Sequence, residues 1–241
     1  MQARALVTGF APYGHRGCNP AAEVALAMDG KTVAGVQVIG RTLPVAYTSL
    51  RSEIEGLLAE IQPAVAISLG LWPGEPVIRI ERIGVNVTDF EIPDNEGKLL
   101  VDEAIQADGL AARLSTLPIR KIEQTLLDAG IPARISSTAG TFLCNACLYT
   151  LLGVADAAEN APAACGFIHL PYLPAQVAEQ LQQLRRKGQL EFHQRSDFAS
   201  MDLATSVRAV EIAVATSISE RVRSITGAGN GQSHSRTEGR Y

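Results

Sequence analysis

The segment Ser136-Ser137-Thr138-Ala139-Gly140-Thr141-Phe142-Leu143-Cys144-Asn145-Ala146-Cys147 reads as a strand, a small-residue turn and a cysteine opening a helix. At a helix N-terminus the unpaired N–H groups and the dipole favour a thiolate, so Cys144 stands where nucleophilicity is promoted. The same N–H groups could stabilise an oxyanion. A second run, Cys165-Gly166-Phe167-Ile168-His169-Leu170, places His169 near the end of an apolar strand, where open α/β sheets bind ligands. A histidine there can take a proton from a thiol and return it to a leaving amine, which is the chemistry of a cysteine hydrolase. Glu81, inside the strand-like stretch 77–87, can orient such a base or pair with Arg79 or Arg82 on a solvated face. Cys144 and His169 have plain structural readings too, as a small buried hydrophobe and a hydrogen-bonded core imidazole. His15 and His193 lie in polar, loop-like contexts and His234 near the C-terminus, so all three are weaker candidates.

The spacing Cys144-Asn145-Ala146-Cys147 also admits a thiol–disulfide exchange centre, or a Cys147 that packs one turn into the helix. No histidine or further cysteine pair lies at zinc-ligand spacing. G-x-S-x-G, H-E-x-x-H, P-loop and dinucleotide fingerprints are absent from the sequence. Asp94-Asn95-Glu96-Gly97 after Pro93 reads as a turn with no chemistry demanded of it.

These residues need a scaffold, and short β-rich runs alternating with helical patterns supply an α/β rhythm. Strands are predicted at 3–10, 36–41, 64–69, 133–137 and 164–170. Helices are predicted at 20–28, from caps at Thr48 or Ser49 to Pro63, at 119–129 between Pro118 and Gly130, at 144–158, and in a long final helix behind Ser200. The run 64–69 is continuously apolar, as in a strand covered on both faces, whereas 77–87 alternates and carries charge, which places it nearer an edge. The architecture expected is a three-layer α/β/α sandwich with a central, mostly parallel sheet. One domain spans 1–226, and 227–241 is a flexible polar C-terminal tail.

Composition narrows the function classes. Of 241 residues, 46% are hydrophobic and 19% charged, the balance of a folded globular protein. A net charge of −4 offers no field to collect nucleic acid or an anionic membrane. No run is long and apolar enough for a transmembrane helix, and residues 1–9 lack the apolar core of a signal peptide. Four sparse cysteines suit a reducing, cytoplasmic setting.

Several blocks together carry a resemblance: Leu6-Val7-Thr8-Gly9-Phe10 with Asn19-Pro20, Glu81-Arg82 with Asn86, and Ile92-Pro93-Asp94-Asn95-Glu96-Gly97. The stretch 138–145 and the stretch from Gly166-Phe167-Ile168-His169 to Leu173-Pro174 complete the set. In this order, from Leu6 to about Val177, the sequence resembles the pyroglutamyl-peptidase I family of cysteine peptidases. The resemblance implies an α/β/α sandwich and a triad of Glu81, Cys144 and His169, with no metal or organic cofactor. It implies peptides with an N-terminal pyroglutamyl residue as substrates, cleaved through a thioester, and a homo-oligomer. The pyroglutamyl ring would sit among Phe10, Tyr13 and Phe142, with the Asn19 side chain on the lactam and Leu71 and Leu143 in contact. Aromatic faces suit a flat uncharged ring, and buried polar groups reject analogues lacking the lactam atoms. Three departures stand out: Tyr13 where phenylalanine is usual, Glu91 where an arginine commonly precedes Ile-Pro-Asp-Asn, and bulky Gly70-Leu71-Trp72-Pro73-Gly74 in place of a small polar turn. They leave room for a catalytically silent peptide-binding homologue.

Overall fold

The computed structural model describes residues 3–229 except 15, 159 and 189–197. Its centre is a seven-stranded sheet in the order β2-β3-β1-β4-β9-β5-β8. The strands are β1 (Arg4–Phe10), β2 (Thr32–Val33), β3 (Val36–Leu43), β4 (Val65–Leu71), β5 (Ile78–Glu81), β8 (Ala133–Ser136) and β9 (Ala164–Leu170). β1, β3, β4 and β9 run parallel, while β5 meets β9 antiparallel and pairs parallel with β8. The expected mostly parallel sheet is present, and the apolar runs that became β4 and β9 are buried at every position.

Helices cover both faces. α1 (Pro20–Met28), α3 (Ile119–Asp128) and α6 (Leu203–Gly229) pack on one side, over a core that includes Leu69, Ile80 and Ile168. α2 (Tyr47–Ile61) and α4 (Leu143–Ala157) pack together on the other, over Phe167, Cys147 and Leu148. The two-residue period of a strand therefore separates two sets of side chains: odd and even positions of β9 feed different cores. α5 (Pro174–Arg186) follows β9.

Several details differ from the sequence expectation for physical reasons. The stretch 77–87 is two strands: at Arg82 the chain leaves the main sheet, and β6 (Ile83–Val85) pairs with β7 (Ala112–Leu114) in a separate ribbon. β5 is next to the edge, which β8 forms. α5 escaped prediction although Val177, Leu181 and Leu184 recur at helical spacing behind Pro174; only Gln176 and Val177 of its thirteen residues are buried. Neither Thr48 nor Ser49 caps α2. The helix starts at Tyr47, whose N–H donates 2.8 Å to Asp94 Oδ2 from a distant turn. Asp202, not Ser200, caps α6, accepting from the Thr205 N–H at 2.9 Å and the Thr205 hydroxyl at 2.6 Å. α6 runs through Gly229, three residues into the segment read as tail, and 230–241 lie outside the described residues.

Asp94 thus has a structural task that the local sequence does not show. Buried, it accepts from the N–H groups of Glu96 and Lys98 on Oδ1, at 2.9 and 2.8 Å, as well as from Tyr47. Asp94→Ala strands three backbone donors and should lower unfolding stability by roughly 1–3 kcal/mol, read as a reduced midpoint in urea. A midpoint equal to the parent's would show that water satisfies those donors equally well.

Candidate active site

The register of four strands builds the site. Gly70 of β4 pairs with His169 of β9, which faces Arg79 of β5, which faces Arg134 of β8. Two residues along, the row is Ser68, Phe167, Glu81 and Ser136. These two rows share the α4 side of the sheet, because residues i and i+2 of a strand point the same way. His169 and Glu81 belong to neighbouring rows, and the gap is closed by His169 Nδ1 to Glu81 Oε1 at 2.8 Å, with both side chains essentially inaccessible to solvent. A carboxylate only accepts, so Nδ1 carries the proton and Nε2 is left as the basic nitrogen.

Glu81 is also held by Arg79, whose Nε donates 3.2 Å to the same Oε1. Glu81 thus has its expected pairing with Arg79, but both side chains are buried and not on a solvated face, and the same carboxylate oxygen also contacts His169. Its second oxygen is buried with no hydrogen-bond partner among the described residues. The rest of the arginine reaches Glu75 Oε2, Ser136 Oγ and the Thr138 carbonyl at 3.2, 2.6 and 2.8 Å. Glu75 is tied in turn to Arg134 at 2.6 Å.

Cys144 is the second residue of α4. Phe142 at the N-cap has extended dihedrals and supplies no side-chain cap, so the first-turn N–H groups have no side-chain partner. The thiol abuts Gly70: a Cβ there would lie 2.8 Å from Cys144 Sγ and 2.8 Å from the Phe167 ring. A side chain at Gly70 would collide with the Cys144 thiol and the Phe167 ring, which occupy that space. The next residue, the fully buried Asn145, fixes the helix to β6, accepting from the Val85 N–H and donating to the carbonyls of Val85 and Val87, each at 2.9 Å. Its place one residue beyond the cysteine was visible in the sequence, but the clamp was not.

Cys144 and His169 line one cleft of about 400 Å³ together with Tyr13, Arg16, Leu71, Trp72, Asp89, Glu91 and Phe142. The edge-to-face contact of Trp72 with the His169 ring, centroids 5.0 Å apart, makes the indole one wall of the site. Beside it, Phe10, Tyr13, Asn19, Val45, Leu71, Phe142, Leu143 and Cys144 surround an apolar pocket that is closed to about 10 Å³, roughly the space one water needs. All six residues expected around a ring thus surround one pocket. The Asn19 amide already accepts from the Ala21 N–H at 3.1 Å and donates to the Ala11 carbonyl at 3.0 Å, which leaves it one N–H and one lone pair. Tyr13 meets Phe142 at 6.0 Å between centroids, and burial pushes its hydroxyl up to about 12, so it remains a donor.

Electrostatics set the resting protonation. Burial, and then the neighbouring Cys147 and Glu81, push the Cys144 thiol above its ordinary value. Burial holds the His169 imidazole below its usual range, against the hydrogen bond and charge of Glu81. The helix terminus favours a thiolate, but in the resting site desolvation works the other way, and the pair rests as thiol and neutral imidazole. Cys147 is wholly buried, its thiol pushed up to about 12 by burial against a hydrogen bond with Ser68, and it forms no disulfide. Among the described residues no cluster of His, Cys, Asp and Glu could hold a metal ion. His15, His193 and His234 lie outside the described residues.

Comparison with known proteins gives one consistent result. Residues 3–220 match the family model described as pyroglutamyl peptidase. A pyrrolidone-carboxylate peptidase of Pyrococcus furiosus is 41% identical over 217 residues, which cover 90% of this chain and 99% of the relative. One of Klebsiella pneumoniae is 40% identical over 224 residues, covering 93% and 97%. The solved structure of the pyrrolidone carboxyl peptidase from Thermococcus litoralis is similar at a TM-score of 0.84 and 38% identity, over 93% of this chain and 96% of that one.

Because only Cys144 combines access from the cleft with a neighbouring base, iodoacetamide at neutral pH should alkylate it ahead of the half-buried Cys18. The buried Cys147 and Cys165 should stay protected until the protein unfolds. Peptide mapping in which any other cysteine leads would contradict the assignment.

Proposed function

The chain belongs to the pyroglutamyl peptidase family and hydrolyses N-terminal pyroglutamyl residues from peptides, and we propose that Cys144 is its nucleophile, His169 its base and Glu81 the group that orients the base. The observation that carries this reading is the 2.8 Å contact of His169 Nδ1 with Glu81 in the cleft that also holds Cys144 at the start of α4.

Each step follows from an atom in place. The pyroglutamyl ring enters the pocket between Tyr13 and Phe142, which must part to admit it, and the remaining Asn19 donor and acceptor meet the lactam. Nε2 of His169 takes the thiol proton as Sγ attacks the scissile carbonyl, so the thiolate forms only when the electrophile is present. Negative charge on the carbonyl oxygen is met by the first-turn N–H groups of α4, which have no side-chain cap to displace. Glu81 stabilises the imidazolium that results. The imidazolium returns its proton to the departing amine as the C–N bond breaks, leaving a thioester on Cys144. Water then attacks the thioester with His169 again as base, and pyroglutamate and the free thiol are released.

The disulfide-exchange alternative lacks a usable second thiol, since Cys147 is fully buried. We assign the enzyme to the cytosol, a reading supported by its four free cysteines. The expectation of a homo-oligomer is supported by the exposed apolar side chains Leu99, Val101, Leu110 and Leu114. No helix among the described residues is long and apolar enough to cross a membrane. We also propose that the described fold acts as a single domain with no nucleic-acid partner, consistent with its net charge of −4.

Cys144→Ala should abolish hydrolysis of a pyroglutamyl-coumarin substrate, while Cys147→Ala retains most of it. Equal losses would favour a redox pair. Since activity needs neutral His169, whose protonation burial opposes, kcat/KM should fall on acidification only below about pH 6.5. An acid limb above that value would show that the base is a different group.

Glu91 lines the same cleft and is exposed, so its charge acts on the developing oxyanion through solvent. Glu91→Arg should raise kcat/KM by about tenfold, equivalent to ~1.4 kcal/mol. An unchanged or lower value at parental stability would remove Glu91 from the electrostatics of the reaction.

A further inference from the structure

Arg79 is 4% exposed and lies opposite His169 in the β5–β9 register, yet no step of the reaction uses it. Four of its hydrogen bonds are made inside the protein: Nε to Glu81, Nη1 to Glu75, and Nη2 to Ser136 and to the Thr138 carbonyl. Its guanidinium carbon also stacks 3.6 Å from the centre of the Trp72 ring. Trp72 in turn meets the His169 ring at 5.0 Å and 81°. The arginine therefore reaches the imidazole by two independent routes, one through the carboxylate on Nδ1 and one through the aromatic wall beside it. A guanidinium suits this double task because it donates in its plane while stacking with its face; an ammonium has neither the planar fork nor a flat face to stack.

The charges around His169 close the argument. The groups that act on the imidazole are Glu81 and Arg79 of β5, Glu75 of the β4–β5 turn with Arg134 of β8 paired to it, and the Cys144 thiol of α4. Two carboxylates and two guanidiniums cancel, and a neutral imidazole completes the set without net charge. Removing Arg79 leaves one carboxylate in excess, which favours an imidazolium that is useless as a base.

We propose that Arg79 is a positioning residue for the hydrolysis: it fixes Glu81 and Trp72 on two sides of His169 and keeps the imidazole in the neutral, oriented form that accepts the thiol proton. The proposal rests on the assignment of His169 as the base. It extends that assignment to a residue that never touches substrate.

The test uses Arg79→Met and Arg79→Lys in the full chain, with two readouts: the NMR titration midpoint of the His169 Cε1 proton, and the pH dependence of kcat/KM on pyroglutamyl-coumarin. In Arg79→Met the midpoint and the acid limb should both move up by about one pH unit, the effect expected of a lost neighbouring charge. kcat should fall roughly tenfold from lost orientation while KM stays within about twofold, because Arg79 does not line the ring pocket. Arg79→Lys keeps the charge but not the planar fork, so its midpoint should stay near the parent's while kcat falls. A purely structural arginine would lower thermal stability and leave the midpoint where it was, so a parental midpoint and kcat in folded Arg79→Met overturns the proposal. If Arg79→Met does not fold, parental kcat in Arg79→Lys overturns it. Should the parent fail to cleave pyroglutamyl-coumarin, the functional assignment fails, while the NMR midpoint still decides whether Arg79 controls His169.

Discussion

The buried hydrogen bond between His169 Nδ1 and Glu81 Oε1 is the interaction on which the rest of the site depends. It is possible because β5 enters the sheet antiparallel to β9, which sets Glu81 against Phe167 and Arg79 against His169. Had β5 run one residue out of register, every side chain on it would change face and Ile80 would meet the imidazole instead. A carboxylate and an imidazole buried together are costly unless each is satisfied, so the arrangement draws in Arg79, and through it Glu75, Arg134, Ser136 and the Thr138 carbonyl. That network continues to the turn leading into α4. Glu81 and His169 are thus joined to the loop that presents Cys144.

Cys144 depends on a different economy of space. Gly70 has no side chain at the point where β4 passes Cys144 Sγ and the Phe167 ring, so α4 can lie close against the sheet. Asn145 holds that helix to β6 with three hydrogen bonds and keeps the first turn aimed at the cleft. In the proposed mechanism the oxyanion donors are backbone groups on a braced helix, which need no reorganisation when charge develops. Burial that raises the thiol and lowers the imidazole makes the resting pair neutral, beside an aromatic pocket that is closed to about 10 Å³.

Much of this was legible in the sequence where local pattern and tertiary role coincide. The runs that became β4 and β9 are apolar because both faces are covered, and Cys144 at a helix start and His169 near a strand end are positional signals that survive without knowledge of pairing. Glu81 shows the limit: its neighbours Arg79 and Arg82 suggest a surface ion pair, and only the β5–β9 register shows that the same oxygen serves both Arg79 and His169. Asp94 looked like an ordinary turn residue because its third partner, Tyr47, is 47 positions away. Trp72 reads as an intrusion into a small turn, whereas in the fold it packs between Arg79 and His169. α5 was missed although its signal is in the sequence: Val177, Leu181 and Leu184 recur at helical spacing behind Pro174.

The central claim is that Glu81 acts on the reaction through His169 and is not merely a buried ion-pair residue. The most direct measurement is kcat for Glu81→Gln on a pyroglutamyl-coumarin substrate, with thermal stability recorded on the same sample. The substitution keeps the shape but removes the charge that stabilises the imidazolium and fixes its tautomer, so kcat should fall by about a hundredfold or more while the protein stays folded. A folded Glu81→Gln protein with parental kcat, or one that loses its fold while the surviving fraction keeps parental specific activity, would contradict the account.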